Sequence, residues 1–125
     1  MTQEEKELLL KDLSARFPYG VKVQTPNFEI PQLFQSIEDY DNIYINGYSK
    51  PVTIEETKPY LRPMSDMTEE EYKEWRYLYL PLPHDNEATE TQRRIDWLNS
   101  HHFDYRGLIP MGLALEAPED MYKSK

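Results

Sequence analysis

The chain has 125 residues, a length typical of one domain with one hydrophobic core. Its 14 Lys and Arg residues against 23 Asp and Glu residues give a net charge of −9, which disfavours generic binding to nucleic acid or to anionic lipid. The sequence contains no cysteine, so disulfides, thiolate catalysis, cysteine zinc sites and iron–sulfur clusters are excluded.

The first predicted element is a helix over residues 1–17. Thr2 and Glu5 have the spacing of a capping box, in which two side chains accept the free amide protons of the first helical turn. The first residues lack the basic region and the long apolar run of a signal peptide, and no apolar run approaches the length of a membrane span. We therefore expect a cytoplasmic protein.

Residues 21–57 are predicted to form a small, curled antiparallel sheet of about four strands. Short runs with alternating apolar and polar residues are separated by turn signals such as Asn46-Gly47. The expected strands cover residues 21–24, 30–37, 43–45 and 51–56. With ten Tyr, four Phe and two Trp, the chain is expected to have an aromatic-rich core, with several tyrosine hydroxyls at its edge.

Residues 58–67 are predicted to be an extended connector, because Pro59 and Pro63 lie too close together for a helix. The connector separates a strand-rich first half from a helical second half.

Residues 68–116 are predicted to be the helical part, with two helices, and the alternation over residues 113–116 favours a final short strand. Thr68 and Glu71 repeat the capping-box spacing at the start of the first of them. A frayed tail is expected over residues 117–125. The sequence therefore predicts an α+β fold in one domain over residues 1–125: an N-terminal helix, the sheet, and two helices packed against it.

The most unusual stretch is the apolar run over residues 77–83, which ends in prolines and is flanked by charge. It has two interpretations: a core segment that packs across the sheet, or an exposed aromatic patch for a protein partner. In the second interpretation, the partner-binding residues are Trp75, Tyr77, Tyr79, Leu80 and Leu82.

His101 and His102, followed by Asp104, are the clustered histidines of the chain. Adjacent histidines on a helix point about 100° apart, so they cannot share one metal ion unless the helix breaks, and a third ligand such as His84 would be needed. The simpler interpretation is a helix C-terminus, where the helix dipole favours histidine. We predict no metal and no cofactor, and keep these three residues as the candidates for a metal site.

The leading functional hypothesis is a non-enzymatic interaction protein, since the sequence has no nucleophile motif and no glycine-rich phosphate loop. Its partner is expected to be a protein of unknown identity, and binding to a membrane is not expected. The sequence does not determine the oligomeric state. One alternative is an acidic mimic of nucleic acid that occupies a basic DNA-binding protein. Another is a small hydrolase or metal-dependent enzyme that uses His101, His102 and Asp104. A further alternative is direct binding of nucleic acid through four arginines and nearby aromatic residues, namely Arg62, Arg93, Arg94 and Arg106.

Three segments carry a resemblance to a known family: LKDLSARFPYGVKV at residues 10–23, KPYLRPMS at residues 58–65, and WLNSHHFDYRGLIPMGLALEAPEDMY at residues 97–122. They resemble an uncharacterised family of small acidic proteins from gut Bacteroidales, often encoded near phage or mobile-element genes. The resemblance implies a single domain in a cytoplasmic bacterial or phage protein. The leading hypothesis, an interaction protein, accordingly includes an accessory of a phage or mobile element. The resemblance implies no catalytic or binding residue.

Overall fold

A computed structural model of the chain describes residues 1–26, 28–39, 42–46, 48, 50–78 and 87–122, with the backbone alone at residues 87–90. Over these residues the fold is α+β, as predicted, with an N-terminal helix, a sheet and further helices. None of the described helices combines the length and the apolar character needed to cross a membrane.

Helix α1 spans Gln3–Arg16 and begins with the predicted capping box. The Thr2 hydroxyl accepts a hydrogen bond from the Glu5 amide at 3.1 Å, and the Glu5 carboxylate accepts one from the Thr2 amide at 2.8 Å. These bonds also hold the pKa of Glu5 below its usual value. The helix start is therefore determined by two residues that the sequence identifies directly.

The described residues form one sheet of six strands, in the spatial order β4-β3-β2-β1-β5-β6. Neighbouring strands are antiparallel, except β5 and β6, which are parallel. The strands are β1 at Lys22–Gln24, β2 at Gln32–Glu38, β3 at Asn42–Ile45, β4 at Val52–Thr53, β5 at Lys58–Leu61 and β6 at Leu115–Glu116. The sheet is thus larger than the predicted one of about four strands.

Strand β5 lies where the extended connector was predicted, over residues 58–67. Pro59 pairs with Val23 of β1 inside the sheet, although a proline has no amide proton to donate to a ladder. The proline is tolerated because β6 pairs with β5 only from Tyr60 onward. No carbonyl of β6 therefore requires an amide proton from residue 59. A proline pair that rules out a helix therefore does not rule out a strand.

The main core lies between α1 and one face of the sheet. It is mostly aliphatic, and Phe34 is its one buried aromatic member among the described residues. This core is less aromatic than expected, whereas the partial exposure of every described tyrosine agrees with the expected position of their hydroxyls at the edge of a core. A phenol hydroxyl needs a hydrogen-bond partner, which is easier to find at the edge of a core than inside it.

Helices α2, at Glu69–Tyr77, and α3, at Glu87–Ser100, enclose a second and more aromatic core. Helix α2 begins at the predicted capping box of Thr68 and Glu71. The buried members of the second core are Trp97, Leu98 and Phe103, and the half-buried residues packed against them are Met67, Trp75, Leu78 and Tyr105.

The segment after β6 is attached to the sheet. The Ala117 amide donates to the Leu61 carbonyl at 2.8 Å, which continues the contact of β6 with β5. We predicted a frayed tail over residues 117–125. Residues 117–122 are held instead by this bond and by the hydrogen bonds of the Tyr122 hydroxyl to β1 and β5. Residues 123–125 lie outside the described residues.

Candidate functional site

A polar cleft of about 490 Å³ lies where the end of β5, the start of α2, the end of α3 and the C-terminal segment meet. Its volume falls within the range of small-ligand sites. Three carboxylates and one guanidinium line it, so the cleft carries net negative charge when its histidines are neutral. The lining residues are Arg62, Asp66, Thr68, Glu71, Ser100, His101, His102, Pro118, Glu119 and Tyr122.

His102 closes helix α3 in a Schellman motif. The His102 amide donates to the Asn99 carbonyl and the Phe103 amide donates to the Leu98 carbonyl, both at 3.0 Å. The residue at this position is usually glycine, because its backbone is left-handed, and the φ of His102 is +64°. A side chain in this conformation costs about 1–2 kcal/mol. Strained backbone conformations of this kind cluster at active sites and ligand-binding sites.

The His102 ring is buried and has an unsatisfied nitrogen. The residue is 8% exposed, its ring stacks on the Tyr122 ring, and Nδ1 has no hydrogen-bond partner. Burial, followed by the nearby charge of Arg16, lowers the pKa of His102 to about 4. The imidazole is therefore neutral at pH 7, and the structure leaves part of its hydrogen-bonding capacity unused.

Tyr122 anchors the wall of the cleft to the sheet. Its hydroxyl donates to the Tyr60 carbonyl at 2.7 Å and accepts from the Lys22 amide at 2.9 Å. Lys22 precedes Val23 and Tyr60 follows Pro59, and Val23 with Pro59 is the end pair of the β1–β5 ladder. The phenol therefore bridges the two strands where their pairing ends. Burial raises the pKa of Tyr122 above its usual value, which keeps the hydroxyl protonated as the donor.

Arg62 and Glu71 form the ionic part of the cleft. Two guanidinium nitrogens of Arg62 donate to the two carboxylate oxygens of Glu71 at 2.7 and 2.8 Å. The guanidinium also lies 4.2 Å from the centroid of the Phe103 ring and 3.5 Å from the Asp66 carboxylate. The bonds from Arg62 are the main cause that lowers the pKa of Glu71 to about 2. Arg62 is thus held by a bidentate pair rather than presented to an anion.

His101 is oriented by helix α3 itself. Its ring stacks on Trp97 with 4.0 Å between the centroids, and its Nδ1 lies 2.9 Å from the Trp97 carbonyl. The same Nδ1 lies 3.1 Å from the Ser100 hydroxyl, so both contacts hold the ring against its own helix. Trp97 is in turn fixed by α2, because its Nε1 donates to the Glu74 carboxylate at 3.0 Å.

The structure brings two of the three residues of the His101, His102 and Asp104 cluster to the cleft. Asp104 is buried elsewhere, and its carboxylate oxygens accept from the amides of Leu108 at 2.8 Å and Ile109 at 2.9 Å. These bonds give Asp104 a structural role in the loop after α3. Over the described part of the chain, no group of three His, Cys, Asp or Glu residues is placed to hold a metal ion.

The two described residues of the aromatic segment proposed for partner binding differ in their exposure. Trp75 is half-buried and packs against the second core, whereas Tyr77 is 75% exposed. The other three predicted residues, Tyr79, Leu80 and Leu82, lie outside the described residues, as does His84. Only one of the five candidates is therefore seen as an exposed aromatic side chain.

Three residues that build the cleft were not predicted to lie there. Arg62 was placed in the connector and named only in the nucleic-acid hypothesis. Glu71 was recognised only as a helix cap, although its carboxylate also binds Arg62. Tyr122 was placed in the tail. The signal available for Tyr122 was its type: a tyrosine in a terminal segment rich in charged residues has a large apolar surface to bury.

The chain matches no family model, and neither a curated protein nor a solved structure shows significant similarity to it. The chemistry of the cleft is therefore the basis on which a function is proposed.

Proposed function

We propose that this chain is a non-enzymatic binding protein that holds a protein partner at the cleft between β5, α2 and the C-terminal segment. The observation that supports the proposal best is His102, a buried residue in a strained backbone conformation with an unpartnered Nδ1, on the wall of a cleft of about 490 Å³. Strain and an unused polar group together favour a site kept for a ligand over a site kept for stability.

The other polar groups of the cleft favour binding over catalysis. Arg62 is paired with Glu71, and the Nδ1 of His101 is directed to a backbone carbonyl. Groups fixed in this way give a rigid, pre-ordered surface, which lowers the entropy lost on binding. A general base, by contrast, needs a nucleophile within hydrogen-bond reach, and the Asp104 carboxylate that the hydrolase hypothesis requires is bonded to two backbone amides.

The proposal includes an accessory role of phage or mobile-element origin and a cytoplasmic location, as the sequence suggests. It moves the expected contact surface from the aromatic segment to the cleft. Tyr77 lies on α2, the helix whose first turn lines the cleft, so it remains available as an outer contact for the same partner.

Capture of proteins from the native cell with the tagged full chain tests the proposal. Asp66→Lys reverses a charge at the cleft, and Glu70→Lys makes the same change at an exposed residue of α2 that does not line it. We expect a protein that is captured by the wild type and by Glu70→Lys, and lost with Asp66→Lys. A partner lost only with Tyr77→Ser would move the site back to the aromatic surface and contradict the cleft.

The same capture separates the mimic of nucleic acid from other binding proteins. If the net charge of −9 serves to imitate DNA, the captured protein binds DNA, and added DNA displaces it. A partner that stays bound in the presence of excess DNA contradicts the mimic.

A further inference from the structure

Residues 117–122 form a strap that runs from β6 to the end of the β1–β5 ladder. At one end the Ala117 amide donates to the Leu61 carbonyl at 2.8 Å, and at the other the Tyr122 hydroxyl is bonded to β1 and β5. Three residues of the strap line the cleft, namely Pro118, Glu119 and Tyr122. The strap therefore supplies one wall of the cleft, and that wall is present only while the strap is attached.

The Tyr122 hydroxyl takes the place of a backbone hydrogen bond between β1 and β5. The ladder ends at the pair of Val23 with Pro59, so the next pair in register is Lys22 with Tyr60. The phenol accepts from the Lys22 amide and donates to the Tyr60 carbonyl, which relays a bond that the two backbone groups can make directly in an antiparallel ladder. When the strap leaves, both groups can pair with each other or with water. The strap can therefore detach without disrupting the sheet.

The strap also covers the ring of His102. The imidazole stacks on the Tyr122 ring with 3.7 Å between the centroids, and the residue is 8% exposed. A buried imidazole is disfavoured in its charged form, because it loses the hydration that water would give it. Release of the strap uncovers the face of the ring that Tyr122 occupies, and so favours the protonated form.

The charges with the largest effect on this ring also oppose its protonation. They come from four parts of the chain: Arg16 of α1, Lys22 of β1, Arg62 after β5, and His101 of α3 when it is itself protonated. The carboxylates around them are those of Asp12, bonded to Arg16, of Glu71 and Asp66, both at Arg62, and of Glu119, which lines the cleft from the strap. A proton on His102 therefore adds positive charge beside cations while the strap shields the ring from water.

We propose that residues 117–122 are a strap that acid releases from the sheet, with the Tyr122 hydroxyl as its attachment and protonation of His102 as the event that frees it. Because the released state binds the proton more tightly than the attached state, release becomes more favourable as the pH falls below about 6.5, the value for an exposed histidine. The proposal describes regulation of the proposed binding site. It rests on the proposed function only for its consequence, the loss of one wall of the cleft.

Hydrogen exchange of the full chain at pH 7 and pH 5, each in a series of low urea concentrations, tests the proposal. Protection of the Lys22 and Ala117 amides, corrected for the intrinsic exchange rate, reports the strap. The Phe34 amide, which donates to the Val21 carbonyl at 3.0 Å, reports the main core.

We expect protection of the two strap amides to fall about tenfold from pH 7 to pH 5, since the pKa of His102 is about 4 in the attached state and approaches 6.5 on release. Exchange at the strap should depend little on urea, because its opening exposes little surface. Exchange of the Phe34 amide should depend strongly on urea, as global unfolding does.

Three variants assign the effect to its residues. His102→Asn keeps a residue type that tolerates the left-handed backbone and removes the titrating ring, so protection at the strap should differ by less than about twofold between the two pH values. His101→Asn is the matched control at the neighbouring histidine and should retain the fall of about tenfold. Tyr122→Phe removes the attachment, so the strap amides should lose protection already at pH 7.

The proposal is overturned if the strap amides exchange with the urea dependence of the Phe34 amide at both pH values, if their protection is the same at pH 7 and pH 5, or if the two histidine variants lose the fall equally. Its failure is distinguishable from that of the proposed function, because the exchange experiment uses the chain alone. Acid release of the strap without any captured protein supports the proposal and contradicts the protein partner. A protein captured at the cleft of a chain whose strap does not respond to acid does the reverse.

Discussion

The imidazole of His102 stacks on the phenol of Tyr122, with 3.7 Å between the ring centroids and 17° between the ring planes. This contact joins the end of α3 to the C-terminal segment. Because the Tyr122 hydroxyl is bonded to the Lys22 amide and the Tyr60 carbonyl, the contact also connects His102 to the end of the β1–β5 ladder. The cleft wall is therefore built from three parts of the chain that meet at one pair of rings.

Removal of the Tyr122 hydroxyl tests this connection. Tyr122→Phe leaves the Lys22 amide and the Tyr60 carbonyl without their bonds to the phenol, so we expect the free energy of unfolding to fall by about 1–3 kcal/mol. Urea denaturation measures the loss, and hydrogen exchange at the Lys22 amide should accelerate. Tyr77→Phe, at a residue that is 75% exposed, is the control and should change stability by less than about 0.5 kcal/mol. Equal losses in the two variants would show that the anchor has no special role.

The left-handed backbone of His102 predicts an unusual order of stability. At φ +64°, glycine has no β-carbon to strain, so His102→Gly should be more stable than His102→Ala by about 1 kcal/mol. Both variants lose the ring, so their difference isolates the backbone. Thermal or urea unfolding measures it.

The control for this comparison is two residues away, at Ser100, the last residue of α3. There the usual helical order applies, and Ser100→Ala should be more stable than Ser100→Gly by up to about 1 kcal/mol. The same order at both positions would contradict the conformation of His102.

Much of the fold could be predicted because local signals decide it. The capping boxes of Thr2 and Thr68 mark the starts of two helices, and alternating patterns mark the first four strands. Strand β5 was missed because Pro59 is tolerated only by the register of its neighbours, which the local sequence does not show. The cleft was missed for the same reason: His102 and Tyr122 meet through the tertiary fold, and a histidine at a position suited to glycine has no local signature.

Acidification should destabilise the fold through His102. Its pKa is about 4 in the folded state against 6.5 in the unfolded chain, so the unfolded state binds the proton more tightly. The stability is therefore complete above pH 6.5 and is lost as the pH falls toward 4, by about 1–2 kcal/mol between pH 7 and pH 5. The free energy of unfolding measured at both values should fall in the wild type and much less in His102→Asn.

Glu71 acts in a lower window. Its pKa is lowered to about 2, mainly by the bonds from Arg62, so its contribution is present above pH 4.5 and is lost as the pH falls toward 2. The two groups are thus separable by pH. A wild-type stability that is constant between pH 7 and pH 5 would contradict the burial of a neutral His102.

Asp104 is predicted to matter for stability and not for the cleft. Asp104→Asn replaces one acceptor oxygen by an amide group, so one of the Leu108 and Ile109 backbone amides loses its partner, and we expect a loss of about 1–3 kcal/mol. Asp96→Asn is the control, because Asp96 accepts from the exposed Gln92 side chain and should cost less than about 0.5 kcal/mol. Capture of the partner by the folded Asp104→Asn chain should equal that of the wild type, and a selective loss of capture would place Asp104 in the site.

The most direct test of the central claim is whether a partner protein depends on the cleft. The tagged wild-type chain, Asp66→Lys in the cleft and Glu70→Lys outside it are compared in capture from the native cell. The account predicts a protein that the wild type and Glu70→Lys capture and Asp66→Lys loses. A protein that all three chains capture equally, and that only Tyr77→Ser loses, would contradict it.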